Sequence, residues 1–248
     1  MRTIYILWLR QLKRFIRKRV SLVGALGQPV LFLFALGFGL SPIYARAGEG
    51  DYMQFLSPGI IAMTILFTSI FTGVEIIWDK QFGFLKETFV APVSRFEILI
   101  GKTLGGATVA IIQGILVFLI TFLAGFRPYS LVLLPLAFLF LVLIAFLFSA
   151  LGTTIAARLD DMQGFPLIIN FVIQPLFFLY GAIFPIVGLP KFLEFITKIN
   201  PLSYGIDGLR YALSGTSVFS PFLSLSVLVG VTVLILCVGA YQFSKVEL

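Results

Sequence analysis

The chain is 248 residues long, 59% hydrophobic and only 12% charged, with a mean hydropathy of +1.07 and a net charge of +7. A soluble domain carries about a quarter charged residues, so an ordinary cytosolic enzyme, a disordered chain and a secreted disulfide scaffold are excluded. A single cysteine, Cys237, permits no intrachain disulfide, and the absence of histidine removes His-based triads, HExxH zinc sites and imidazole relays.

Residues 1–19 hold seven Lys/Arg (Arg2, Arg10, Lys13, Arg14, Arg17, Lys18, Arg19) and no acid. Ile4, Leu7, Trp8, Leu12, Phe15 and Ile16 recur at helical spacing. The pattern predicts a cationic amphipathic helix in the cytoplasmic interface, with Trp8 at headgroup depth. It reads either as an anchor and orientation signal or as a surface that also meets a cytoplasmic partner. Ala45-Arg46-Ala47 has the small-residue character of a signal-peptide cleavage site. The preceding apolar run is about 21 residues, beyond the roughly 7–15 of a signal core, so a retained span is expected.

Six apolar stretches follow one another: Val20–Leu40, Ser57–Ile77, Leu104–Phe126, Leu131–Ala157, Phe165–Val187 and Phe222–Phe243. Each is long enough, at about 1.5 Å per residue, to cross a hydrocarbon core of about 30 Å. No polar alternation supports a membrane β-barrel, and Pro29, Pro135 and Pro175 are tolerated where neighbouring helices satisfy the freed carbonyls. The expected fold is an all-α integral membrane protein: an interfacial helix over residues 1–19 and a single six-helix transmembrane domain over 20–248. With the N-terminus inside, thirteen of eighteen Lys/Arg fall on the inner side and five on the outer. Both termini are therefore expected to be cytoplasmic, and the basic excess reads as an orientation signal rather than a nucleic-acid footprint.

The largest cytoplasmic loop, residues 78–103, mixes charge with Phe82, Phe84, Leu85, Phe89 and Val90, and Gly83 and Pro92 bracket a short helix-compatible stretch. Such a segment fits a groove on another protein or rests on lipid. Gly101-Lys102-Thr103 is no P-loop, because Phe96 stands where the pattern needs glycine. Lys102 is expected to snorkel, and Gly101 and Gly105 to allow close helix packing. Glu75 is the single carboxylate expected inside a span, within reach of Lys80 or Arg95 and structural rather than proton-coupling. Gln28, Gln113, Asn170 and Gln174 read as interhelical hydrogen-bonding residues.

Residues 188–215 read as an external re-entrant hairpin. Leu189–Ile199 and Leu202–Leu213 are amphipathic and too short to span, and Asn200-Pro201 supplies a turn and a helix start between them. Asp207 and Arg210, three apart, read as a structural ion pair or as a substrate-binding pair. A secondary transporter would show membrane-embedded ion sites and related halves, and a lipid-modifying enzyme would need convergent His, Asp or Glu. None of these is evident in the sequence.

Three segments together resemble the membrane-spanning permease subunit of type-2 ABC exporters, the family of bacterial drug, polysaccharide and lipid-conjugate exporters. They are the amphipathic start at Ile4–Ile16, the stretch Gly83–Arg95 followed by Ile98-Leu99-Ile100-Gly101-Lys102, and Asn200-Pro201-Leu202-Ser203-Tyr204-Gly205-Ile206-Asp207-Gly208-Leu209-Arg210. Gly27-Gln28-Pro29 is similar to the drug-exporter branch. The resemblance covers nearly the whole chain and implies export of an amphipathic drug, lipid or glycan conjugate from a bacterial or archaeal cytoplasmic (inner) membrane. It implies no catalytic, cofactor or metal residue on this chain, with ATP and Mg held by two separate ATP-binding cassette subunits. The second permease chain would be a copy of the first, forming a homodimer, or a related chain, forming a heterodimer. By the same resemblance Phe84, Leu85, Lys86, Glu87, Thr88, Val90, Ala91 and Pro92 form a helix coupled to the ATPase, with Arg95 at its border. Spans two and five would line the route, bringing Phe67, Phe71, Asn170 and Phe178 near the substrate.

Overall fold

The computed structural model describes residues 2–46, 51–84, 88, 93–159, 161–179 and 190–245. Among the described residues every regular element is helical. In chain order these are α1 (Arg2–Arg17), α2 (Arg19–Arg46), α3 (Tyr52–Phe71), α4 (Val74–Gln81) and α5 (Arg95–Leu123). A 3₁₀ turn at Leu131–Leu133 leads into α6 (Leu134–Arg158). Next come α7 (Gly164–Phe178), whose middle Ile169–Ile173 is π-helical, α8 (Lys191–Ile199), α9 (Pro201–Ser214) and α10 (Pro221–Ser244).

Helix starts follow local chemistry. Asp51 accepts the Met53 N–H to open α3, Ser94 the Glu97 N–H to open α5, Asn200 the Leu202 N–H to open α9, and Ser220 the Leu223 N–H to open α10. Each satisfies an amide that the first turn leaves without an intrahelical partner. Pro201 and Pro221 occupy the first helical position, where a missing N–H costs nothing. Ser94-Arg95-Phe96-Glu97 also has the spacing of a capping box. It starts α5 nine residues before the expected span at Leu104.

Among the described residues, five segments are long and apolar enough to cross a membrane: Gly24–Arg46, Tyr52–Gln81, Arg95–Leu123, Leu131–Arg158 and Pro221–Ser244. The stretch expected as a fifth of six spans, Phe165–Val187, appears as the shorter apolar helix α7. At about 1.5 Å per residue it is roughly 22 Å long, and residues 180–187 lie outside the described residues. Two short helices, α8 and α9, fall within the residues expected to form the re-entrant hairpin.

The central column is α3, buried on every face from Leu56 to Leu66 and packed by α2, α5, α6 and α9. A helix that is apolar all round needs such a surround. Where α3 breaks into α4, the chain touches α6 backbone to backbone. A Cβ on Gly73 would stand 2.4 Å from the Gly152 carbonyl oxygen, and one on Gly152 would stand 2.7 Å from that of Ile70. Small residues at crossings let membrane helices approach closely.

Hydrogen bonds sort the helix ends into two groups. At one end Lys80 donates to the carbonyls of Ala157 (2.6 Å) and Leu159 (3.1 Å), and Arg95 to those of Phe243 (3.1 Å) and Ser244 (2.7 Å). Both cations sit on the carbonyl-rich C-termini of α6 and α10, where the helix dipole favours positive charge. At the other end the Tyr129 N–H donates to Leu213 (2.7 Å), and the Ser214 hydroxyl to the Gln54 carbonyl (3.1 Å).

Candidate functional site

At the end that carries Lys80 and Arg95, α1 is seated on α5. Leu7 and Gln11 are its buried residues. A Cβ on Gly101 would lie 3.0 Å from the Leu7 Cβ, and one on Gly105 2.7 Å from Gln11 Oε1. The close packing expected of Gly101 and Gly105 is therefore present, with α1 as the helix it admits. The Trp8 indole N–H donates to Thr108 Oγ1 at 2.9 Å, a further tie between α1 and α5.

The same contact carries a charge cluster. Arg10 makes two 3.0 Å hydrogen bonds to the carboxylate of Asp79, one to each oxygen, and the Lys102 ammonium bonds Asp79 Oδ2. Asp79 is 4% exposed and Lys102 3%. One carboxylate thus holds two cations from two different helices, and it joins α1, α4 and α5. Lys102 does not snorkel: Gly101 and Gly105 bring α1 over it, and Asp79 compensates its charge. Among the described residues of this end, Asp79 is the buried carboxylate, and no local sequence pattern marks it. The side chain of Glu75 is 23% exposed and lies 3.8 Å from Arg14 rather than on Lys80 or Arg95. The signal that locates the cluster is a lysine inside a run of small residues, where both flanks of the helix are occupied.

The Arg10 guanidinium also lies 3.7 Å over the ring centroid of Phe84, a cation–π contact. The Thr88 hydroxyl donates to the Phe84 carbonyl at 2.8 Å. Of the residues assigned to ATPase coupling, Phe84, Thr88 and Arg95 are described; Leu85, Lys86, Glu87, Val90, Ala91 and Pro92 lie outside the described residues.

Farther along, α9 is buried between α3, α6 and α10. Asn200, 2% exposed, donates through Nδ2 to the Leu176 carbonyl (2.8 Å) while capping α9 before Pro201. The Tyr204 hydroxyl donates to the Lys198 carbonyl (2.8 Å), and its ring stacks on Phe219. Asp207 accepts the N–H groups of Val218 (2.7 Å) and Phe219 (2.9 Å), so its hydrogen bonds go to backbone leading into α10 and not to Arg210. Arg210 lies 4.2 Å over the Phe55 ring. The Arg210 charge still acts on the Asp207 carboxylate, but the hydrogen bonds that Asp207 makes are to these two amides. Asp207→Ala leaves both amides without that acceptor and is expected to cost about 1–3 kcal/mol, read as a fall in the Tm of the purified protein.

Of the residues assigned to a substrate path, Phe67 and Phe71 line a partly open cavity of about 400 Å³ bounded by α1 to α5. They join α7 through Phe67–Phe177 (5.3 Å between centroids) and Phe71–Phe165 (6.3 Å). Asn170 is exposed on the π-helical turn and Phe178 is 48% exposed; neither lines that cavity.

The sequence profile of the family described as ABC-2 type transporter matches residues 2–214. The chain is similar to the inner membrane transport permease YadH of Escherichia coli (strain K12), with 32% identity over 219 residues, covering 84% of this chain and 82% of that protein. It is 30% identical over 207 residues to ycf38 of Cyanophora paradoxa, covering 81% and 70%. It is 27% identical over 212 residues to Nodulation protein J of Rhizobium leguminosarum bv. viciae, covering 84% and 80%.

Proposed function

Because the chain belongs to the ABC-2 type transporter family and is a multi-pass transport permease, we propose that it is the membrane-spanning subunit of an ATP-driven exporter. Its cargo is an amphipathic drug, lipid or glycan conjugate leaving the cytoplasm. The family implies pairing with an ATP-binding cassette subunit. In this reading two copies of that subunit bind ATP and Mg and serve a homodimer of the permease.

The end that carries α1 faces the cytoplasm, as the distribution of Lys and Arg supports, and both termini lie on that side. The location follows YadH, which is named an inner membrane protein: a bacterial or archaeal cytoplasmic membrane. Continued through residues 180–187, α7 becomes the fifth of six spans. The α8–α9 pair then enters from the outer side, a reading supported by the burial of α9 and by the bonds of Leu213 and Ser214 to the outer group.

One observation carries the proposal. Phe84, where the coupling segment begins, is clamped by Arg10, and Arg10 is itself clamped to Asp79 beside Lys102. A displacement of that segment by a closing ATPase is delivered to α1, α4 and α5 together. Transport then needs ATP to bind one arrangement of the dimer better than the other, since equal affinity shifts nothing.

The test is ATP-dependent export in proteoliposomes that contain the permease and its ATP-binding cassette subunit. Glu87→Arg in the coupling segment is expected to cut export at least tenfold while leaving the permease inserted. Export by this chain alone, in ATP-free vesicles under a proton gradient, would instead make it an ion-coupled secondary transporter.

A further inference from the structure

The cavity bounded by α1 to α5 has two chemically distinct parts. Its deeper wall is apolar with scattered hydrogen-bonding groups. Met63, Phe67 and Val109 line it, and Gln113 accepts from the Thr68 hydroxyl (2.7 Å). Gln11, 4% exposed, forms part of the wall, and its Oε1 holds no hydrogen bond. The mouth is ionic. Arg14 and Lys18 lie 5.4 Å and 5.1 Å from the Trp78 ring, and Glu75 faces Arg14 at 3.8 Å. Two cations against one carboxylate leave a net positive charge there, on a side chain set framed by an indole suited to the membrane interface.

We infer that this cavity is a binding site, within a single subunit, for an anionic amphiphile of the inner leaflet. Its phosphate or carboxylate lies between Arg14 and Lys18, and its chain lies against Met63, Phe67 and Val109. About 400 Å³ falls within the usual range of ligand pockets, roughly 300–1,000 Å³, and holds one acyl chain. Charge-assisted bonds from Arg and Lys recognise such a headgroup, and a basic pocket among membrane helices on the cytoplasmic side is where lipid headgroups bind. The site needs only the multi-pass membrane character of the chain, whatever drives transport.

The chain has two tryptophans, Trp8 and Trp78, so Trp8→Phe leaves Trp78 as a reporter at the mouth. In neutral detergent micelles, quenching of Trp78 by a bromoacyl lysophosphatidylglycerol is compared with quenching by the matching lysophosphatidylcholine. The anionic lipid is expected to reach its midpoint at a mole fraction at least fivefold lower. Arg14→Gln with Lys18→Gln is expected to erase that preference. Glu75→Gln is expected to sharpen it about threefold, a gain that misfolding cannot imitate. Gly24 lines the cavity, and its Cβ direction is open to beyond 4 Å, so Gly24→Phe is expected to fill the space and weaken both lipids.

Equal midpoints for the two headgroups, or a Glu75→Gln variant that weakens the anionic lipid, overturn the inference. A resident lipid and a passing cargo share this chemistry. With the ATP-binding cassette subunit present, a midpoint unmoved by ATP marks the first and a midpoint shifted by ATP marks the second. That last arm alone depends on the ATP-driven reading.

Discussion

Replacing Asp79 by alanine is expected to destabilise the protein by about 3–5 kcal/mol, the cost of breaking a buried ion pair by removing one partner. The size follows from what remains. Lys102 is 3% exposed and has no route to water past α1, so its charge stays buried without compensation. Arg10 loses both of its hydrogen bonds to α4. The measurement is the Tm of the detergent-purified protein, with protease access to α1 as a second readout. Asp79→Asn combined with Lys102→Met removes both fully buried charges and leaves Arg10, whose side chain is 34% exposed, able to reach water, so it is expected to recover most of the loss. If the double variant is as unstable as Asp79→Ala, shape at this position matters and charge does not.

The second large effect is expected at Gly152. Even a methyl group there meets the Ile70 carbonyl oxygen at 2.7 Å and its Cα at 2.9 Å. The obstacles are backbone atoms, which cannot rotate aside as a side chain does. Overpacking a core usually costs about 1–3 kcal/mol, and a clash with main chain belongs at the top of that range. Gly152→Leu is therefore expected to yield aggregated or degraded protein on size-exclusion chromatography. Gly230→Leu on α10, where nothing lies within 4 Å of the Cβ direction, is expected to elute as the parent does. Comparable elution of the two variants would show that α4 and α6 do not cross as closely as Gly73 and Gly152 place them.

What was legible in the sequence was what a single segment can encode. Apolar length marked the long helices, and Asn200-Pro201 marked the start of α9 because capping acts within a turn. Gly101 and Gly105 marked a close approach, although nothing in their spacing named α1 as the visitor. The misread residues depend on distant partners. Lys102 looked like a snorkelling cation because snorkelling is the default at a span end, and only α1 lying across it closes that route. Asp79 was overlooked for the same reason: its meaning lies in Arg10 and Lys102, which stand 69 and 23 residues away. Asp207 and Arg210 satisfied a helix-spacing rule, yet the carboxylate found backbone amides eleven and twelve residues downstream. The aromatic pair Phe67 and Phe71 lines a shared cavity, and Asn170 and Phe178 are exposed on α7.

In the orientation proposed above, Lys80 and Arg95 count among the inner-side cations that set which way round a chain sits, and each also grips the carbonyl end of another helix. Address and fastening are therefore written in the same residues. Neutralising them to flip the topology would at once release the ends of α6 and α10, so an inverted chain would arrive in the bilayer with its seams already open. Quality control would meet such a molecule as a misassembled protein before its orientation mattered. If that orientation holds, the way in and the final packing of this chain are selected together.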